Sequence, residues 1–190
     1  MPFVEHHYKA EYGAVRIRPL QHADIELLRQ WRNNSSLSEF LNPIGEITPE
    51  MQEKWYKEYL ADPDIATFAI EEIQNLNRVV GSVAIYRFRE DEAEVGKIVV
   101  GDPEAKGKKI GYYGLLLAME VGFRKFGIQT YFLSVHEDNL PARKIYSYAG
   151  FVQIGKHHFV KGGEELEMML KKAKMEVGHD FLQEVCVSTI

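Results

Sequence analysis

Residues 93–151, AEVGKIVVGDPEAKGKKIGYYGLLLAMEVGFRKFGIQTYFLSVHEDNLPARKIYSYAGF, decide how this chain is read. The segment divides into a strand (93–101), a basic loop bearing Gly107, a helix (110–126), a second strand (129–135) and a short helix. Leu115, Met119, Gly122 and Phe126 fall on one face of the first helix, with Leu116 and Phe123 beside it, so that helix is expected to be long and buried. The second begins at Asn139-Leu140-Pro141, carries Ala142 and Tyr146, and ends at Gly150-Phe151. The connection between the two strands is long enough for a crossover, which makes them parallel neighbours.

The rest of the chain extends this unit on both sides. Residues 14–19 alternate apolar and basic side chains up to Pro19, as a half-buried strand does. Asp24 opens an amphipathic helix through Ile25, Leu28 and Trp31 that closes at Asn33-Asn34. Thr48-Pro49-Glu50 supplies a cap, a proline at the first helical position and an acid in the first turn of a helix running to Leu60. Residues 65–73, 78–88 and 93–101 then read as three strands joined by short polar breaks, hence antiparallel hairpins. Residues 151–160 and 164–172 form a last hairpin about Gly162-Gly163. The fold class is α/β, of order β-α-α-β-β-β-α-β-α-β-β: a mixed, mostly antiparallel sheet with helices on both faces. A single domain is expected over 1–190, with its core at about 14–172, an unanchored start that includes His6 and His7, and a tail at 175–190 that could dock.

Composition narrows the function. Apolar residues make up 45% of the chain and charged ones 27%, enough for a sizeable core. A net charge of −5 argues against nucleic acid and anionic membrane surfaces as partners, so the basic loop is a local exception. The single cysteine, Cys186, excludes an intramolecular disulfide and fits a reducing cytoplasm. No apolar run reaches membrane-spanning length.

Two features point to chemistry. The loop Lys106-Gly107-Lys108-Lys109-Ile110-Gly111 stands directly before the long helix, where unpaired backbone N–H groups, the positive end of the helix dipole and three lysines suit the pyrophosphate of a large acyl carrier. Asp102 and Lys109 stand where a Walker A loop needs glycine and Ser/Thr, so that motif is excluded. One element later, Tyr146 is a phenol able to protonate a thiolate that leaves with a pKa near about 8.5. Together they suggest acyl transfer from coenzyme A. Cys186 lies outside both, which leaves direct attack in a ternary complex rather than an acyl-cysteine route. His157 and His158 are adjacent in a strand and point to opposite faces, so no shared metal ligand is expected there.

The element order, together with Asn139-x-x-Ala142-x-x-x-Tyr146-x-x-x-Gly150-Phe151 and the loop before the long helix, resembles the GNAT superfamily of acetyl-coenzyme A N-acetyltransferases over about residues 14–172. The family's loop, Arg/Gln-x-x-Gly-x-Gly/Ala, departs here at Lys106 and Lys109 and agrees at Gly111. The resemblance implies acetyl-CoA as co-substrate, with no metal. Lys106, Gly107, Lys108, Lys109, Ile110 and Gly111 would hold its pyrophosphate, Asn139 and Ala142 would face its pantetheine arm, and backbone at Val99 and Val100 would line a thioester slot. Tyr146 is implied as acid and Glu94, or a neighbour among Glu90, Asp91 and Glu92, as base; Gly96 suits the strand bulge that opens the slot. Trp31-Arg32-Asn33 resembles the acceptor segment of the amino-sugar and ribosomal-protein branches, where Arg32 could grip an anionic acceptor by paired hydrogen bonds. The acceptor is read as a primary amine, first an amino group on a nucleotide-linked sugar, alternatively the N-terminal amine of a ribosomal protein. A non-catalytic acyl-CoA-binding regulator is the reading from outside the enzymes, and the chain is taken as monomer or homodimer.

Overall fold

The computed structural model describes residues 7–38, 40, 45–158, 162–175, 177 and 179–190. His6 and the end of the strand expected at 151–160 lie outside them. The helices are α1 (Ile25–Asn33), α2 (Ser35–Ser38), α3 (Pro49–Ala61), α4 (Ile110–Val121), α5 (Leu140–Tyr148) and α6 (His179–Glu184). Strands β1 (Tyr8–Tyr12), β2 (Val15–Pro19), β3 (Ile65–Glu72), β4 (Arg78–Arg89), β5 (Glu92–Val100), β6 (Thr130–His136), β7 (Val152–His158), β8 (Glu164–Lys171) and β9 (Cys186–Thr189) form one sheet. Their order across it is β7-β8-β6-β5-β4-β3-β2-β1-β9. Every ladder is antiparallel except β5–β6. The expected core order is present, with the short α2 inserted where a polar loop was expected after α1, and with extensions at both ends.

Alternation along the central strands sorts the helices onto opposite faces. Phe68 and Ile70 of β3 face α4 within the main core, while Ala69 between them packs with Leu20 and Ile25 beneath α1 and α3. Thr48 caps α3 as its sequence predicts, its hydroxyl accepting from the Met51 N–H at 3.3 Å. Ten of the residues from Ile110 to Val121 are buried, so α4 is apolar nearly all round. The chain end helps to cover it: Phe181 of α6 meets Tyr12 edge to face at 4.9 Å and stacks on Tyr113.

Both chain ends were harder to read. The N-terminal segment, expected to be unanchored, is β1, paired on one side with β2 and on the other with β9 from the tail. The Ile190 N–H also donates to the His7 carbonyl. These strands are short and pair across almost the whole chain, so no local turn signal announces them. The long helix also ends earlier than its periodicity suggests: after Val121 the chain makes a π turn through Gly122–Phe126. Tyr131 of β6 explains it, since its hydroxyl donates to the Met119 carbonyl at 3.3 Å and occupies the space a side chain at Gly122 would need.

The slot arises on β5. Its parallel ladder with β6 joins only Glu92, Ala93 and Glu94 to Thr130, Tyr131 and Phe132, after which β6 pairs with β8 alone. On its other side β5 carries a one-residue bulge, because Ala84 faces Gly96 whereas Ser82 faces Val99. The bulge falls at Lys97, whose φ is +52°, one residue beyond the glycine expected to carry it. Gly96 has a different duty: a side chain there would press on the Tyr86 hydroxyl at 3.2 Å.

Candidate active site

The basic loop is an exposed arch between two buried feet, Ala105 and Ile110. Arg78 fixes its start by gripping Asp102 and Glu104, each at 2.7 Å. Lys106, Gly107, Lys108 and Lys109 project outward, and α4 then begins with no side-chain cap and no acid in its first turn. A free helix start under exposed lysines suits a polyanion. Lys109 holds the left-handed conformation at φ +59°, the position where the related loop has glycine. For a residue with a Cβ this costs about 1–2 kcal/mol. Lys109→Gly is therefore expected to raise the urea midpoint by the equivalent of up to about 1 kcal/mol, once glycine's greater chain entropy is set against the relief. A lowered midpoint would show that Lys109 makes compensating contacts. Gly111, by contrast, is a packing glycine, with its missing side chain aimed at Val100, Ile145 and Ile98 at 3.3–3.8 Å.

Across the slot, Asn139 is the N-cap of α5, its Oδ1 accepting from the Ala142 N–H at 3.2 Å. That engages the side-chain oxygen in capping, so a contact with a ligand would fall to the amide nitrogen. Tyr146 lies one turn beyond Ala142, 6% exposed, and meets Phe151 edge to face at 5.9 Å. Burial, followed by the nearby Tyr86 phenol, pushes the Tyr146 phenol well above its ordinary range, so it stays protonated throughout the physiological range. Val99 and Val100 pair with Ser82 and Gly81 on the β4 side, where a Cβ on Gly81 would overlap the Val99 carbonyl. Toward β6 that stretch of β5 has no ladder partner among the described residues.

Glu94 sits at the closed end of the slot. It accepts both of its hydrogen bonds from Arg87 Nη1, at 2.8 and 3.0 Å, and lies directly opposite Tyr86 in the β4–β5 ladder. Tyr86 faces it from across the ladder, and burial together with the Glu94 charge pushes the Tyr86 phenol up to about 12. Beside them opens a cavity of about 280 Å³ lined by Arg87, Arg89, Glu92, Glu94, Ser134 and Glu167 among others. Glu92 shares that wall, which keeps it an alternative to Glu94. The Lys97 side chain leaves the bulge across the same strand, its Nζ 4.6 Å from the Tyr86 ring centroid. Much of the chain is exposed, yet its ammonium is desolvated on the ring, and this, with Arg87 and Arg32 nearby, lowers its pKa despite Asp62 and Glu94.

The α1 segment divides by role. The Trp31 ring lies against the Gly101 backbone so closely that no side chain at position 101 fits. Arg32 is partly buried, and that burial alone lowers its pKa. Asn33 is committed to the scaffold: its amide both donates to and accepts from the Ile47 backbone at 2.9 Å. It supports the wall rather than forming its surface. His136 is likewise structural, accepting from the Asp138 N–H at Nδ1 and reaching the Gly162 carbonyl with Nε2 at 3.0 Å. Tyr86, Lys97 and Gly101 escaped the motif reading. A plain fold of 78–88 back on 93–101 would set Arg87 opposite Glu94; the register shift between Tyr86 and Arg89 brings Tyr86 there instead, and no local signal announces it.

A sequence profile described as "Acetyltransferase (GNAT) domain" matches residues 14–152. The chain belongs to the GNAT acetyltransferase family. It is 25% identical over 173 residues to an N-acetyltransferase 9-like protein of Caenorhabditis briggsae, covering 83% of each chain. The spermidine N-acetyltransferase of Vibrio cholerae, solved with CoA and spermine, superposes with a TM-score of 0.74 at 20% identity over 85% of this chain and 97% of that one. FdhC, a nucleotide-linked sugar GNAT solved in its apo form, does so with a TM-score of 0.69 at 20% identity over 85% and 88%. The mixed sheet with its parallel β5–β6 pair is thus the GNAT fold, and the chain is an acetyl-CoA-dependent N-acetyltransferase. The exposed loop at an uncapped helix start and the unpaired stretch of β5 fit a carrier with an anionic end and an extended arm. No group of His, Cys, Asp and Glu suited to a metal occurs among the described residues, and no helix there is long and apolar enough to cross a membrane.

Proposed function

We propose that this GNAT enzyme acetylates a primary amine on a molecule that also carries negative charge, with an amino sugar linked to a nucleotide as first choice. The supporting observation is the pair of cations at the bulge: Lys97 on the Tyr86 ring, with Arg32 close enough to lower its pKa. With the Trp31 and Tyr86 rings they make a wall suited to a phosphate and a flat base, and unsuited to a polycation. Acetyl-CoA rests its pyrophosphate on residues 106–111 and runs its pantetheine arm past Val99, Val100 and Asn139. The amine gives up a proton toward Glu94 and attacks the thioester carbonyl, and Tyr146 protonates the departing thiolate. Holding both reactants together supplies most of the proximity advantage without a covalent enzyme intermediate.

A second reading has its own support. The cavity beside Glu94 bears Glu92 and Glu167 as well, which suits a basic amine such as a polyamine. Steady-state thiol release with UDP-glucosamine and with spermidine separates the two. We expect turnover of the nucleotide sugar, and a KM for it that rises about tenfold or more in Arg32→Ala while the KM for acetyl-CoA is unchanged, the loss typical of a charge-assisted contact. Preference for spermidine, undiminished in Arg32→Ala, would give the site to polyamines.

A further inference from the structure

We propose that the proton leaving the acceptor amine reaches Glu94 through the Tyr86 hydroxyl. Three placements support this. Tyr86 and Glu94 are direct cross-strand partners with their side chains on the same face of the sheet, opposite α4. The hydroxyl of Tyr86 lies over Gly96, at the point where β5 leaves β6 and the slot opens, so it stands nearer the open slot than Glu94 does. Glu94 itself is turned toward Arg87 and the cavity wall, held by two hydrogen bonds from that guanidinium. A carboxylate anchored in this way is a poor direct contact for an amine entering from the slot, and the phenol fills the gap.

In this scheme, which rests on Glu94 being the base, the ammonium passes a proton to Tyr86 Oη as the phenol passes its own to the Glu94 carboxylate. Tyr86 ends unchanged, Glu94 ends as the carboxylic acid, and the amine keeps the lone pair that attacks the thioester carbon. Collapse of the tetrahedral species breaks the C–S bond, the thiolate takes the Tyr146 proton, and the second nitrogen proton restores Tyr146. Glu94 then releases its proton to solvent through the cavity. The charges facing Tyr86 are Glu94 and Arg87 beside it and Lys97 over its ring, with Glu165 acting from β8. A phenol pushed up to about 12 remains protonated in use, as a shuttle that begins by donating must.

The test is Tyr86→Phe, which keeps the ring beneath Lys97 and deletes only the hydroxyl. With UDP-glucosamine or spermidine as acceptor, kcat/KM is expected to fall about tenfold at pH 7 and to converge on wild type above the pKa of the amine, where the acceptor arrives neutral. The Kd for acetyl-CoA should not move. A loss of the same size at every pH, or no loss, overturns the relay. If wild type turns over neither amine, the proposed acceptors fail, and the same Tyr86→Phe pH comparison is made with whichever member of a panel of primary amines is acetylated: a loss confined to pH below the pKa of that amine supports the relay, and a uniform loss or none overturns it.

Discussion

Replacing Tyr146 with phenylalanine is expected to lower kcat by about 10²-fold or more while folding stability and acetyl-CoA affinity stay near wild type. The ring supplies the packing, with Phe151 edge to face at 5.9 Å, and phenylalanine preserves that contact. The hydroxyl supplies the proton. Because burial holds the phenol above its ordinary range, Tyr146 is always loaded but is a weak acid toward a free thiolate. Transfer therefore has to be concerted with C–S cleavage, when charge on sulfur is building. Acyl donors with more acidic thiols need that help less, so the deficit should shrink along such a series. A phenylalanine variant with near-normal kcat would reduce Tyr146 to a core residue.

Reversing charge on the arch, Lys106→Glu with Lys108→Glu, is expected to raise the Kd for acetyl-CoA about 10²-fold at low salt, measured by calorimetry. Two attractions to the pyrophosphate become repulsions, each on the scale of a charged hydrogen bond. Both side chains are exposed, so the unliganded melting temperature should hardly change. The deficit should narrow at high ionic strength, since exposed charges are screened over about 10 Å at 0.1 M. An unchanged Kd would move the pyrophosphate off the loop. These lysines are better probes than Gly111, where an inserted side chain would strike Val100 and Ile145 and report on folding instead.

Elements whose signals are local were legible in the sequence: the Thr48-Pro49 helix start, the three consecutive strands, the start of the buried helix and the Asn139 cap all stand where their residues put them. Elements made by distant partners were not. β1 and β9 define each other across the chain, and the π turn after Val121 follows from a tyrosine on β6. The site divides in the same way. Tyr146, Glu94 and the basic loop carry pattern signals of their own, whereas the groups packed against them do not. Asn33 shared a tripeptide with Arg32, and adjacency could not tell that its amide is spent on Ile47. Lys97 carries no signal of its own, because the glycine before it is the residue a bulge ordinarily favours. In the folded chain the Tyr86 hydroxyl claims the space beside Gly96, and the lysine takes the left-handed turn.

Mechanically, the sheet is two plates joined along a short seam. One plate is β9 and β1 through β5, the other β6 through β8; Glu92, Ala93 and Glu94 pair with Thr130, Tyr131 and Phe132 between them, and the Asp91 carbonyl accepts from the Gln129 and Thr130 N–H groups at the end of the seam. Within each plate the ladders run nearly the full length of the strands. The seam is short, yet α4 spans it, with Tyr131 of β6 bonded to the Met119 carbonyl and Gly114 packed on Ile70 of β3. An acyl group bulkier than acetyl would therefore meet a slot whose width is set by the helix behind it as well as by the seam.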